Sequence, residues 1–150
     1  MFKVLQIDHV ELFVPDRYEA AGWYERVLGL QIVRGCEGWA ADGGPLMISS
    51  DAGNTKLALF EGRPAPAPGT PTPAFHRVAF RVSGGGFAEF LRRLADLALT
   101  DSRQRPVSAD SVVDHRQSYS IYFDDPYGHL LEVTTYDYDE TSAFLAARTE

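Results

Sequence analysis

The chain has 150 residues, 45% of them hydrophobic, enough for one well-buried core and too few for two ordinary domains. A net charge of −7 without any long Lys/Arg run excludes the electrostatic footprint of a nucleic-acid binder, whose affinity comes largely from neutralising phosphates. The opening MFKVLQIDHVELFV is interrupted by Asp8, His9 and Glu11, so it reads as neither a secretory signal nor a membrane span. The single cysteine, Cys36, cannot form an internal disulfide, and the expected compartment is a reducing cytoplasm.

From Leu5 to Val14, residues His9, Glu11 and Phe13 alternate with Val10, Leu12 and Val14. This is the period-two pattern of a strand covered on one face, and it puts His9 and Glu11 on the same side. Pro15-Asp16 then opens a helix bearing Ala20, Trp23, Tyr24, Val27 and Leu28, with Trp23 and Tyr24 read as packing against the sheet. Asp16 is placed to cap the first turn, Glu19 follows three residues on, and Gly29 suits the left-handed position past the end. Three short strands follow in QIVRG, PLMISS and TKLALFE, punctuated by Gly38, Gly43-Gly44-Pro45 and Asp51 to Asn54. The first half is therefore βαβββ.

Between Arg63 and Pro73 stand Pro64, Pro66, Pro68, Pro71 and Pro73, which exclude a helix or central strand and make this stretch a semi-rigid linker. After it the pattern restarts. FHRVAFRV reads as a strand, Ser83 caps a helix carrying Phe87, Phe90, Leu91 and Leu94, and three strands follow over Val107 to Asp114, Ser118 to Asp124 and His129 to Tyr136. Asp125-Pro126-Tyr127-Gly128 supplies the turn between the last two. The expected organisation is one domain over 1–150, with module one at 1–62, linker at 63–73, module two at 74–138 and a tail at 139–150. Ala143, Phe144 and Leu145 suit that tail to a short docking helix, and the acidic run Tyr136 to Glu140 reads as solvated.

His9 and His76, 76 − 9 = 67 residues apart, lie in the opening strands of the two copies, and Glu132 lies in the last strand. Two imidazoles and one carboxylate on strands can hold a divalent metal and leave positions open for a substrate. His115 suits acid or base work near neutral pH, and Tyr122 can donate to a bound oxyanion. Glu11, beside His9, is either an orienting partner or a surface charge. His129, after Gly128, reads as a solvated loop residue, and nothing near Cys36 in sequence activates it as a nucleophile.

The tandem βαβββ repeat, with IDHVELFVPD, WYERVLGL, FHRVAFRV and FDDPYGHLLEVTTYD, resembles the vicinal oxygen chelate superfamily of glyoxalase I, bleomycin-resistance proteins, fosfomycin-resistance enzymes and extradiol dioxygenases. The resemblance spans essentially the whole chain. It implies an α+β fold of two modules whose mixed sheets curl around a cleft, with metal ligands from the first and last strands of each module. Carried over by position, it makes His9, His76 and Glu132 the ligands of a divalent metal, Fe(II) or Mn(II) first and Zn(II) or Ni(II) as alternatives. It also implies a small-molecule substrate chelating through adjacent oxygens, and a homodimer. The fourth family position falls on Ala58, with Glu61 on the opposite sheet face, so a four-ligand site of the glyoxalase I kind is incomplete. Val113-Asp114-His115, then Ile121-Tyr122, Asp125-Pro126, Gly128 and Glu132 resemble the extradiol dioxygenase signature, whose counterparts of His115 and Tyr122 lie beside the substrate's oxygens. The further histidine usual in those enzymes is missing from Asp51 to Glu61, and those enzymes are mostly about twice as long. Ring-cleaving dioxygenation is the leading expectation; a metal-free binding protein of the bleomycin-resistance kind and a thiol transferase of the fosfomycin-resistance kind are the alternatives.

Overall fold

Alternation in the opening segment produces β1 (His9–Val14), in which Leu12 and Val14 are buried while His9, Glu11 and Phe13 are exposed. The computed structural model describes residues 7–62 and 77–148, so the expected linker and His76 lie outside the described residues. By internal contacts the chain divides into two units, Met1–Thr72 and Pro73–Glu150.

In the first unit β1 leads into α1 (Arg17–Leu28). Asp16 caps α1, its carboxylate accepting from the amides of Tyr18 and Glu19 at 2.8 and 3.0 Å, an interaction of about 1 kcal/mol. Gly29 ends the helix at φ 72°, its amide donating to the Glu25 carbonyl at 2.9 Å, a conformation that favours a residue without Cβ. Then come β2 (Gln31–Ile32), the short helix α2 (Glu37–Ala41), β3 (Leu46–Ser49) and β4 (Lys56–Glu61). The sheet order is β1-β4-β3-β2, with β1 parallel to β4 and the other pairs antiparallel. One face gathers Leu12, Val14, Leu46, Ile48, Leu57 and Leu59 beneath Ala20, Tyr24 and Val27 of α1, all within a tenth of full exposure.

The second unit repeats this plan. β5 (Val78–Arg81) leads to α3 (Gly84–Leu97), capped by the Ser83 hydroxyl, which accepts from Gly86 N at 3.1 Å. β6 (Val113–Asp114), β7 (Tyr119–Asp124) and β8 (Leu130–Thr135) complete a sheet of order β5-β8-β7-β6, with β5 parallel to β8. Ile121, Phe123, Leu131 and Val133 form the core against Phe87, Phe90, Leu91 and Leu94, and the rings of Phe90 and Phe123 lie 5.6 Å apart. The chain closes with α4 (Tyr138–Ala147), packed on α3. Gly84 permits that approach: its amide donates to Asp137 Oδ2 at 2.8 Å, and a Cβ there would come within 2.6 Å of Glu140 Oε2.

Three segments depart from the sequence pattern. QIVRG pairs only at Gln31–Ile32, after which Arg34–Cys36 form a 3-10 turn into α2. Val107 to Asp114 is not one strand: Ser108 and Ser111 cap each other across the 3-10 turn Ala109–Ser111, and only Val113–Asp114 pairs. Short hydroxyl side chains compete with a sheet ladder in this way. The acidic run Tyr136 to Glu140 is largely exposed, as expected, but from Tyr138 it is helical and forms the start of α4, with Asp139 and Glu140 in the first turn, where the helix dipole favours them. Among the described residues no helix is long and apolar enough to cross a membrane.

Candidate functional site

The face of the second sheet turned away from α3 carries the polar residues. Alternation along β7 puts Ser120, Tyr122 and Asp124 on that side, and the hairpin register places Tyr122 directly opposite Glu132. On the other flank of β8, Ala79 pairs with Glu132, so Arg77, two residues earlier, shares the same face.

Glu132 is held from both sides. Ser120 Oγ, itself buried and 3.0 Å from Thr134 Oγ1, donates to Glu132 Oε1 at 2.7 Å. Arg77 Nη1 stands 3.9 Å from Glu132 Oε2, and its guanidinium lies over the Tyr122 ring, 4.3 Å from the centroid. Tyr122 Oη in turn meets His115 Nε2 at 2.8 Å. His115 sits just past β6, where Asp114 orders the bend: its carboxylate accepts from Arg116 N at 2.6 Å and from the Tyr138 hydroxyl at 2.9 Å. The bond from the Arg116 amide is the main reason Asp114 is held below the usual carboxylate range. Asp124 is shifted the other way, raised by burial first and then by the nearby Asp101 and Asp125, with Arg77 opposing. Of the residues singled out in the sequence, the structure brings together His115, Tyr122 and Glu132, and it sets beside them Ser120 and Arg77, which the sequence reading did not single out. The signal was present in SYSIYFD and HRVAFRV, since period-two counting puts both residues on the Glu132 side.

His9 belongs to the first unit, on the face turned away from α1. Its Nδ1 meets Asp8 Oδ2 at 2.8 Å, its Nε2 lies 3.7 Å from Glu11 Oε1, and Lys56 Nζ donates to Asp8 Oδ1 at 2.9 Å. Hydrogen bonds from His9 and then Lys56 lower the Asp8 pKa. Ala58, fully buried, pairs with Glu11, while Glu61 pairs with Val14 on the other face and forms an ion pair with Arg17 at 3.3 Å. His129 is not simply solvated, for its Nδ1 meets the buried Asp125 Oδ2 at 2.6 Å.

The two registers also fix which residues correspond. Ala58 and Glu132 are each the third residue of the last strand; Glu11 pairs with the one and Ala79 with the other. Two residues before each, the counterpart of His9, the first residue of β1, is Arg77, immediately before β5, an offset of 77 − 9 = 68 in place of the 67 read from the histidines. The missing residue lies in the connection to the helix. Val14 is followed by Pro15 and then the Asp16 cap, whereas Val82 runs directly into the Ser83 cap.

Within the second unit, the described residues do not make a cation site around Glu132. The charged group set against its free oxygen is a guanidinium, and His115 Nε2 is engaged by Tyr122. Hydrogen bonding, acid–base exchange and charge pairing are what this arrangement can offer a ligand.

Comparison with known proteins agrees with the fold. A glyoxalase/dioxygenase from Nostoc punctiforme is similar at 20% identity and TM-score 0.62, over 87% of this chain and 90% of that one. A lactoylglutathione lyase from Agrobacterium tumefaciens matches at 21% identity and TM-score 0.60 over 88% and 94%, and the fosfomycin resistance protein FosX from Mesorhizobium loti at 20% and 0.57 over 89% and 93%. No curated protein matches the sequence. The family model for the Glyoxalase/Bleomycin resistance protein/Dioxygenase superfamily matches residues 6–133. With that match across both βαβββ repeats, the chain belongs to this superfamily.

Proposed function

We propose that this chain acts on a small oxygen-bearing molecule bound at the face of the second sheet turned away from α3, with His115 and Tyr122 moving a proton on it. The observation that carries this reading is the 2.8 Å contact between His115 Nε2 and Tyr122 Oη, beside the oriented Glu132 carboxylate. An imidazole bonded to a phenol can pass a proton either way near neutral pH, and such a positioned pair contributes about 10²- to 10⁴-fold to rate. The ligand class is a catechol or a hydroxy-ketone, whose acidic oxygen would meet Tyr122 while Glu132 and Arg77 fix its orientation. A reducing cytoplasm is the proposed compartment, with which a single free cysteine, Cys36, is compatible, and a homodimer is the proposed assembly.

A panel of catechols and 2-hydroxy-ketones, followed by calorimetry and by oxygen uptake or product formation, tests it. Tyr122→Phe and His115→Ala are expected to lower turnover of a hit by about 10²-fold or more. Turnover unchanged in both variants would remove the pair from the chemistry.

A second reading keeps His9, His76 and Glu132 as ligands of Fe(II) or Mn(II), with Zn(II) or Ni(II) as alternatives, in a dioxygenase or a thiol transferase. It is favoured by two contacts that resemble the outer partners of metal ligands: Asp8 on His9 Nδ1 and Ser120 on Glu132 Oε1. A bound metal would acidify adjacent substrate oxygens. One equivalent of metal in anaerobically purified protein, lost in Glu132→Ala with the fold retained, would establish it.

A further inference from the structure

We propose that Arg77 replaces a metal ion as the counter-charge of Glu132, so that this site works without a divalent cation. The inference rests on the reading that this sheet face is the working site. Three observations converge. The register makes Arg77 the counterpart of His9, so the first-strand position facing the Glu132 carboxylate holds a guanidinium where the other repeat holds an imidazole. The guanidinium is set by stacking on Tyr122 at 4.3 Å and stands 3.9 Å from Glu132 Oε2, while Ser120 occupies Oε1. Its side chain is one-third exposed and makes no hydrogen bond to a described residue, so the guanidinium can offer N–H donors to an anionic ligand oxygen while Nη1 faces Glu132.

A fixed guanidinium and a divalent ion compete for the same carboxylate, and like charges at such separations repel. Arg77 therefore takes over two tasks of a metal, neutralising Glu132 and holding a ligand's carboxylate, enolate or phenolate oxygen. What Arg77 supplies to the site is charge compensation and hydrogen bonding, beside the proton transfer of His115 and Tyr122.

The experiment is a Mn(II) titration of chelator-treated, dialysed protein, read by calorimetry and by the electron paramagnetic resonance of free Mn(II). The parent should bind no more tightly than Glu132→Gln. Arg77→His, which sets an imidazole at the His9-equivalent position, should bind at least about tenfold more tightly than the parent and lose that gain when combined with Glu132→Gln. Arg77→Gln, which removes the cation without adding an imidazole, should also exceed the parent, by less, and serves if Arg77→His fails to fold. Stoichiometric Mn(II) binding by the parent that Glu132→Gln abolishes would overturn the proposal, as would Arg77 variants that gain nothing. Failure of the working-site reading shows elsewhere, in ligand turnover indifferent to His115 and Tyr122.

Discussion

Position by position, the two sheets agree on the side that meets the helix and disagree on the other. Against α1 stand Leu46, Ile48, Leu57 and Leu59; the same register positions against α3 hold Ile121, Phe123, Leu131 and Val133, all buried. On the far side, His9, Glu11, Met47 and Ala58 of the first unit correspond to Arg77, Ala79, Tyr122 and Glu132 of the second. Repetition here specifies packing and leaves chemistry free. An apolar interior constrains volume and shape at every position, whereas on the opposite face the two units differ in residue type, imidazole for guanidinium and methyl for carboxylate, with the same strand ladder kept.

The largest expected effect follows from the side the units share. Phe123→Ala should cost about 3–5 kcal/mol and Ile48→Ala about 2–5 kcal/mol, since each opens a cavity beneath a helix. Tyr122→Phe, one residue from Phe123 but on the other face, removes a single hydrogen bond and should cost about 1 kcal/mol. Urea denaturation of the three variants separates the faces. A Tyr122→Phe loss as large as that of Phe123→Ala would mean that the far face is core too.

A smaller contrast lies in the two hairpin turns before the last strands. Asp125 is fully buried, and its Oδ1 accepts from the amides of Tyr127 and His129 at 2.9 and 2.8 Å while Oδ2 meets His129 Nδ1. Asp51 does similar work in the open, accepting from Thr55 N at 2.9 Å and from the Ser49 hydroxyl at 2.7 Å. Asp125→Ala leaves donors unsatisfied in a closed turn and should cost about 2–4 kcal/mol. Asp51→Ala should cost less, because water replaces the lost acceptor. Equal losses on thermal denaturation would show that burial does not separate the two turns.

Much of the fold was legible because its signals are local and periodic. Asp16, Gly29 and Ser83 marked helix ends by chemistry that needs no distant partner, and alternation marked β1, β4, β7 and β8. The missed pieces involve competition or partners remote in sequence: Ser108 and Ser111 bond each other in place of a strand ladder, and the helix that opens at Tyr138 stacks that ring on Tyr119 at 4.8 Å. At the site, the place of Glu132 in its strand and the absence of a donor at Ala58 could be read directly. Arg77 could not be given its counterpart, because a repeat counted on histidines hides a one-residue difference in the strand-to-helix connection that only pairing reveals.

The smallest effect concerns acid. Asp101 in the second unit binds Arg105 through Oδ2, at 2.8 Å to Nε and 2.6 Å to Nη2, and accepts the amides of Arg103 and Arg105 on Oδ1. The Arg105 side chain, then its amide, lower the pKa to about 2 from an ordinary 3.8. Because the folded value is the lower one, the unfolded chain takes up the proton first as pH falls. The contribution of this carboxylate to stability is thus full above about pH 4, shrinks below it and is gone under about pH 2. Asp101→Asn should therefore be less stable than the parent at neutral pH and converge on it between about pH 4 and pH 2, in urea midpoints measured across that range. In the first unit, Asp8 and Asp51 are lowered by analogous hydrogen bonds and should give the same sign of convergence. A gap between Asp101→Asn and the parent that stayed constant with pH would assign its effect to the shape of the turn, since an amide keeps much of the carboxylate's geometry and only the charge titrates.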